Sequence, residues 1–428
     1  MIRAIAAVAL AILTADSLPA ALTSQQRLLN LQSFEYVWKT IRDKHWQTKP
    51  GGLDWQAIHD EFKPKIEAAD SMAAVRAVMN QMLGRLHETH FGIVPADLYS
   101  NVDATGGGDG AAGIDVRVPG EQVLVTSVEA GSSAAAQGVR PGWEILKIGG
   151  TDIAPVVSKL SEMYAGSTLR DILLRRAILA RLDGGDPVVV EFLDGAGQES
   201  VKTLAPAQPR GTLVRFGYLN PMHVWFSTSR VGGGAIGYAA FNAFLDPQRL
   251  MPAFGDAVEG CHSCAGFILD LRGNPGGIGL MAMGMAGWFI SQPDQKLGTL
   301  YLRETTLKFV VNPRLKTFAG PLAILVDGTS ASTSEILAEG LKDLGRARIF
   351  GSHTAGAALP SVFEKLPDGD GFQYAIANYV SAGGQPLEGR GVTPDEETPV
   401  TREALLAGKD PALDAAVAWI KQQKTAAK

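Results

Sequence analysis

A cluster of serines and threonines stands where one apolar segment ends and another begins. Residues 321–326 are typical of a strand and residues 336–344 of a helix, and the run T-S-A-S-T-S-E lies between them. A side chain at such a junction lies at a helix N-terminus, where unpaired N–H groups and the helix dipole favour negative charge. This is a suitable position for a nucleophile whose reaction generates an oxyanion. The same residues also suit an ordinary N-cap, so other parts of the chain must decide.

A glycine-rich turn is the second feature that could take part in chemistry. The run D-L-R-G-N-P-G-G, residues 270–277, follows a buried strand-like segment and precedes a helix-like one. Glycines let backbone N–H groups approach a ligand closely, and two such donors aimed at one point stabilise an oxyanion. A phosphate-binding loop is the competing interpretation, but it lacks the Gly-Lys-Ser/Thr ending.

The predicted secondary structure changes along the 428 residues, and these regions must position the two motifs. Residues 25–95 show helical spacing of apolar side chains, and residues 101–113 form a glycine-rich linker. Residues 112–204 are typical of short strands, and from residue 211 onward strands and helices alternate. This length suggests two to four domains.

Composition and the N-terminus limit the class of protein. The chain is 46% apolar and 19% charged, with a net charge of −5 and no basic run, so nucleic acid is not expected as a partner. Arg3, the apolar residues 4–13 and small residues such as Ala20 form the pattern of a secretory signal. No later segment offers the approximately 20 apolar residues of a transmembrane span. We therefore expect an exported protein, periplasmic or secreted, with a retained N-terminal anchor as the alternative.

Cys261 and Cys264 form an isolated C-x-x-C. Ala265 stands where haem attachment needs histidine, and His262 alone cannot complete a zinc site. A local disulfide and two buried thiols both remain possible at this point. The sequence predicts neither a metal nor an organic cofactor.

Residues 130–150 resemble a PDZ domain of the bacterial protease-associated type, with the run G-V-R-P-G-W-E-I-L-K-I-G-G. The resemblance implies that a polypeptide C-terminus is added as a strand beside a carboxylate-binding loop, here residues 110–114 with Gly113 and Ile114. A generic β-rich insertion is the alternative, because turn chemistry is widely shared.

The motifs taken in order resemble the carboxyl-terminal processing (tail-specific) serine peptidases and their tricorn-core relatives. They are the helical segment, the PDZ-like region, D-L-R-G-N-P-G-G, S-A-S-T-S-E-I, G-S-H-T-A-G and L-E-G-R-G-V-T-P-D. The resemblance implies an α/β fold: a ClpP/crotonase-like catalytic core with an inserted PDZ-like domain and an N-terminal helical segment. The expected division is signal peptide 1–23, helical segment 24–104, PDZ-like domain 105–205 and catalytic core 206–428.

The resemblance also assigns roles within the catalytic core. Ser332 is the expected nucleophile, with the backbone N–H groups of Gly276 and Thr333 as oxyanion donors and Gly277 as the alternative to Gly276. Three further residues match supporting positions of the tail-specific motif: Glu335, Asp343 and Thr354. A solvated surface position is an equally good interpretation of Asp343.

One position departs from the tail-specific pattern. Ala357 stands where the lysine of a Ser/Lys dyad belongs, and a serine without a base is a poor nucleophile. The tricorn-like branch implies another base, His90, preceded by the hydroxyl residue Thr89 and oriented by Glu388. His353 and the absence of any base are the alternatives.

A metal site at residues 87–90 is a weaker interpretation, because H-x-x-H lacks the spacing of the helical zinc motif.

The predicted function is that of an exported serine endopeptidase whose PDZ domain captures polypeptide C-termini. The alternative, motivated by Ala357, is a catalytically inactive protein that binds peptides or hydrophobic ligands on the same fold.

Overall fold

A computed structural model describes residues 22–96, 111–183, 185–217 and 221–426, and the side chains up to residue 423. The expected signal peptide and most of the glycine-rich linker lie outside the described residues. No helix in the described part of the chain is long and apolar enough to cross a membrane.

Three helices and one short strand form the N-terminal segment: α1 (Ser24–Lys44), α2 (Trp55–Ala68), α3 (Met72–Gly84) and β1 (Gly92–Val94). The side chains of Thr23, Asp54 and Ser71 each accept an N–H from the first turn of the following helix, which satisfies one of its unpaired donors. The apolar faces of the helices, including Phe34 and Val37, are fully buried against one another. This packing fixes the connection between α3 and β1, residues 85–91.

Residues 111–204 form a separate β-rich unit with its own core. Its elements are β2 (Ile114–Arg117), β3 (Leu124–Val128), α4 (Ser133–Ala136), β4 (Glu144–Ile148), β5 (Thr151–Asp152), α5 (Ile153–Met163), α6 (Arg170–Leu182), β6 (Val188–Leu193) and β7 (Glu199–Leu204). The strand order is β2-β3-β4-β6-β7, with β5 paired to β4, so β2 is an edge strand. Leu174 and Ile178 of α6 are fully buried in this core together with Val116 of β2.

The remaining residues alternate between strands and helices. The strands are β8 (Thr212–Val214), β9 (Met222–Val224), β10 (Phe226–Val231), β11 (Ile236–Phe241), β12 (Gly266–Asp270), β13 (Lys296–Leu302), β14 (Thr306–Val310), β15 (Leu322–Val326), β16 (Ala347–Gly351), β17 (Ser361–Lys365), β18 (Gly371–Ala375), β19 (Ala377–Ser381) and β20 (Glu396–Glu397). The helices are α7 (Pro247–Glu259), α8 (Gly279–Ala286), α9 (Thr333–Asp343), α10 (Arg402–Leu406) and α11 (Pro411–Ala426).

The central sheet has the strand order β10-β11-β12-β15-β16-β20, and every neighbouring pair from β11 to β20 is parallel. All residues of β12 and β15 are buried, as expected for parallel strands covered on both faces. The α/β fold class predicted from the sequence is confirmed. Because β12 and β15 are neighbours, the chain segments that follow them meet at the same edge of the sheet.

Three smaller sheets complete the described part of the chain, with strand orders β1-β18-β17, β14-β13-β19 and β8-β9. Pairing of β1 with β18 joins the N-terminal segment to the catalytic core, with Ile93 opposite Phe372. Cys261 and Cys264 form a disulfide, so the alternative of two buried thiols is wrong.

Candidate active site

The segment between β15 and α9 holds Ser332 in a backbone conformation that side chains rarely adopt. Its φ is 55° and its ψ is −116°, and it directly precedes the first residue of α9. Strain of this kind costs about 1–3 kcal/mol and persists where the surrounding structure enforces it. Ser332 is half-buried, so its hydroxyl group remains within reach of a ligand.

The neighbouring hydroxyl groups have structural partners, and this distinguishes Ser332 from them. The hydroxyls of Thr329, Ser330, Thr333 and Ser334 donate, respectively, to Asp327 Oδ1 (2.6 Å), Leu271 O (2.8 Å), Gly277 O (2.8 Å) and Asn274 O (2.9 Å). No carbonyl or carboxylate of the described residues accepts the hydroxyl proton of Ser332. Of this cluster, Ser332 is therefore the residue whose hydroxyl proton is available for transfer.

Glu335 fixes the backbone of Ser332. Its Oε2 accepts the N–H groups of Ser332 (2.9 Å) and Ala357 (3.0 Å), while Oε1 accepts Thr354 Oγ1–H (2.5 Å) and Gly356 N–H (2.7 Å). The residue is fully buried, and burial raises the pKa of Glu335 to about 7 against the effect of these four donors. Four donors and no acceptor suit an ionised carboxylate, which ties residues 354–357 to the strained serine.

The loop at the lysine position of the tail-specific motif is apolar. The side chain of Ala357 is buried and packs with Ala331 and Ala355, and Leu169 and Ile172 cover this cluster. His353 is exposed, and its Nδ1 lies 2.9 Å from the carbonyl oxygen of the adjacent Thr354. Among the described residues, neither His353 nor His90 forms a hydrogen bond with Ser332.

Thr89, His90 and Glu388 form a continuous chain of hydrogen bonds. Thr89 Oγ1 lies 2.7 Å from His90 Nδ1 and 3.0 Å from Glu388 Oε2. A carboxylate only accepts, so the hydroxyl donates its single proton to Glu388 and must accept Nδ1–H of His90. This arrangement selects the tautomer in which Nε2 carries the lone pair. Desolvation lowers the pKa of His90 to about 4, which keeps the ring neutral at neutral pH, so that Nε2 can accept a proton.

Further backbone donors hold the orienting carboxylate in place. Glu388 Oε1 accepts Thr89 N–H at 2.7 Å, and Oε2 accepts Ala358 N–H at 3.0 Å. Burial raises the pKa of Glu388, and these donors oppose that change. Ala357 and Ala358 are consecutive, and their N–H groups donate to Glu335 and Glu388 respectively. One dipeptide thus connects the residue that fixes Ser332 to the residue that orients His90.

The glycine turn after β12 touches the start of α9. A Cβ atom added to Gly276, whose φ is 96°, would lie 2.8 Å from both Ser332 Cβ and Thr333 N. The Gly276 N–H, however, donates to Asn274 Oδ1 at 3.0 Å. No group in the described part of the chain accepts a hydrogen bond from the N–H of Gly277 or of Thr333. These two groups are the better oxyanion donors, so the structure disfavours the expected donor Gly276 and favours the alternative, Gly277.

Asp343 does not belong to this site. It is exposed at the opposite end of α9 from Ser332 and accepts the N–H of Gly383 at 2.6 Å. Eleven residues of helix separate the two ends by roughly 15 Å, so a supporting role at the nucleophile is corrected to a surface contact.

Sequence reasoning missed two polar residues that shape the site. Asn274 accepts Gly276 N–H, while Asp327 Oδ1 accepts the N–H groups of Gly273 (3.1 Å) and Thr329 (2.9 Å). Both follow buried parallel strands, and this position is the signal that could have identified them. Asp327 Oδ2 also accepts Nε–H of Arg117 from β2 at 2.7 Å. The β-rich unit therefore contacts the loop that carries the nucleophile.

Comparisons with known proteins show which proteins the chain is similar to. Residues 235–398 match the model of peptidase family S41, and residues 30–84 match the tricorn protease C1 domain. A carboxyl-terminal-processing protease of Synechocystis sp. is 26% identical over 397 residues, which cover 88% of this chain and 81% of that protein. Tricorn protease homolog 1 of Streptomyces coelicolor is 24% identical, over 90% of this chain and 34% of that protein.

Solved structures show the same fold. A photosystem II D1 C-terminal processing protease superposes with a TM-score of 0.57 at 22% identity, covering 92% of this chain and 97% of that one. Mature CPAF superposes with a TM-score of 0.62 at 14% identity, covering 94% and 97%.

Proposed function

We propose that this chain, which belongs to peptidase family S41 and is a serine peptidase, is exported and uses Ser332 and His90 to cleave peptide bonds in proteins or peptides. The observation that carries the proposal is the chain of hydrogen bonds that leads from the Ser332 backbone N–H through Glu335 and residues 357–358 to Glu388, Thr89 and His90, while no described group accepts the hydroxyl proton of Ser332. A nucleophile, a neutral base and an orienting carboxylate are the three parts that activate a serine.

The proposed reaction begins with attack of Ser332 Oγ on the scissile carbonyl carbon. His90 Nε2 takes the hydroxyl proton, and Thr89 and Glu388 hold the imidazole in the tautomer that makes this possible. The N–H groups of Gly277 and Thr333 stabilise the tetrahedral oxyanion. His90 then protonates the leaving amine, and water attacks the acyl-enzyme with His90 again as base.

The β-rich unit is the proposed substrate-binding module. Its strand β2 lies at the edge of the sheet, with α6 packed beside it, and an extended segment of polypeptide can pair with such an edge. Export rests on the signal-like residues 1–23, and the disulfide between Cys261 and Cys264 is consistent with an oxidising compartment.

Hydrolysis of fluorescein-labelled casein by the purified chain tests the proposal. We expect cleavage by wild type and by the control variant Ser229→Ala, whose exposed serine lies on β10. Ser332→Ala and His90→Ala should be inactive while melting at the wild-type temperature. Cleavage that persists in Ser332→Ala would exclude Ser332 as the nucleophile. Absence of cleavage in wild type, with retained peptide binding, would favour the inactive binding protein motivated by Ala357.

A further inference from the structure

The groove between β2 and α6 opens into a cavity of about 640 Å³ that faces the catalytic core. Ile114 of β2, Leu179 of α6 and Gly273 of the glycine turn contribute to its walls. Strand addition along β2 would place one end of the bound segment at residues 111–113, which precede the strand. The chemistry of that loop therefore determines which part of a polypeptide can bind.

The backbone of this loop packs tightly against the neighbouring residues, as expected for a loop whose N–H groups bind a carboxylate. Gly113 has a φ of 76°, and a Cβ atom there would lie 2.1 Å from Ser132 Cβ, so only glycine fits. The carbonyl oxygen of Gly113 accepts Glu129 N–H at 2.8 Å, which holds the loop against the end of β3. In a domain that captures chain ends, the N–H groups of this loop bind the terminal carboxylate.

In this chain, one N–H group of the loop already donates a hydrogen bond to a side-chain carboxylate. Asp183 Oδ1 accepts the N–H of Ala112 at 2.9 Å. Asp183 directly follows α6, and its own N–H donates to Leu179 O at 2.8 Å, so the side chain is held at the end of the helix. The helix dipole disfavours an acidic residue at a helix C-terminus, so Asp183 does not stabilise α6 through its charge.

The charges around the loop would also act on a ligand carboxylate. Asp183 and Glu129 both line the cavity beside Gly113. Three arginines line it: Arg175 donates to Asp115 at 2.8 Å, the Arg210 guanidinium lies over the Trp225 ring at 4.2 Å, and Arg272 is paired with Asp270 and Asp410. A second carboxylate at the loop would lie next to Asp183, and like charges at that separation weaken binding by about tenfold or more.

We propose that Asp183 is a specificity-determining residue that excludes free C-terminal carboxylates from the β2–α6 groove. The groove then selects internal segments of a polypeptide, whose ends carry no charge there. This inference rests on the proposed role of the β-rich unit in substrate binding, and it replaces the C-terminal recognition expected from the PDZ-like sequence. The protease would accordingly capture exposed extended segments of unfolded chains, without the need for a free end.

Peptide binding to the full chain carrying Ser332→Ala, which prevents cleavage, tests this inference. The probes are fluorescein-labelled decapeptides that end in valine or leucine, each made with a free carboxylate and with a carboxamide. Asp183→Asn keeps an oxygen that can accept Ala112 N–H but removes the charge. The matched control is Glu199→Gln, an exposed residue of β7 at the far edge of the same sheet.

With Asp183 present, we expect the carboxamide peptide to bind at least as tightly as the carboxylate peptide. Asp183→Asn should tighten binding of the carboxylate peptide about tenfold and change carboxamide binding less than about twofold. Glu199→Gln should change neither. Binding of the carboxylate peptide that appears only in Asp183→Asn would equally support the proposal.

An unchanged ratio of the two affinities in Asp183→Asn, or binding of neither peptide to any variant, would overturn the inference. A thermal melt of each variant excludes loss of fold as the cause. Casein hydrolysis by chains that retain Ser332 is measured separately, so failure of the proposed peptidase activity is distinguishable from failure of this inference.

Discussion

Thr89 offers the sharpest test of the hydrogen-bond chain behind Ser332. Its hydroxyl group accepts from His90 and donates to Glu388, whereas its backbone N–H holds Glu388 independently at 2.7 Å. Thr89→Val has nearly the same shape and leaves that backbone contact intact. It removes the acceptor that selects the reactive tautomer of the imidazole, while Thr89→Ser retains it.

The expected loss follows from the bond that Thr89→Val removes. A hydrogen bond to a charged group contributes about 1.5–3 kcal/mol, which corresponds to roughly 10- to 150-fold in rate. The assay is the second-order rate constant for labelling by a fluorophosphonate, which reports activation of the serine independently of substrate specificity. Thr89→Ser should label within about threefold of wild type. Wild-type labelling by Thr89→Val would refute the role of this hydroxyl.

Three further predictions concern charge. The pKa of about 4 for His90 keeps the base neutral above that pH, so the labelling rate should fall only as the pH drops through about 4; half-maximal labelling at pH 6 or above would contradict this. Glu335→Gln turns an NH₂ group toward two of the four donors that Glu335 accepts, and urea denaturation should show that the free energy of unfolding falls by about 2–6 kcal/mol. The control Glu339→Gln, on the same helix, should change it little because Glu339 Oε2 has no partner within the described chain. Burial opposes ionisation of Asp327, but the charge of Arg117 prevails and lowers the pKa of Asp327 to about 2. The stability that the ionised carboxylate contributes is therefore present above about pH 4 and lost as the pH falls through about 2. Asp327→Asn should be about 3 kcal/mol less stable than wild type at pH 7 and nearly as stable at pH 2.

Local patterns were sufficient for the features that depend on neighbouring residues. The apolar run before Asp327 and the helical run after Glu335 predicted the strand-to-helix junction at which Ser332 is strained. The assignment to the carboxyl-terminal processing serine peptidases, inferred from ordered motifs, is confirmed by the match to peptidase family S41 and by the similar Synechocystis protease.

Features that depend on distant contacts were not predictable in this way. The bond from Asn274 to Gly276 N–H changes which glycine is the better donor, and no composition or spacing indicates it. Asp183 and Ala112 are 71 residues apart in sequence, so their contact appears only when α6 packs beside β2. Asp343 matched a motif position, but the length of α9 carries it away from the nucleophile.

The central claim is that Ser332 is the nucleophile and that His90 activates it. Mass-spectrometric mapping of the fluorophosphonate adduct on wild type, His90→Ala and His353→Ala tests this claim most directly. We expect one adduct, on Ser332, that disappears in His90→Ala and persists in His353→Ala. An adduct on another residue, or one lost in His353→Ala but retained in His90→Ala, would contradict it.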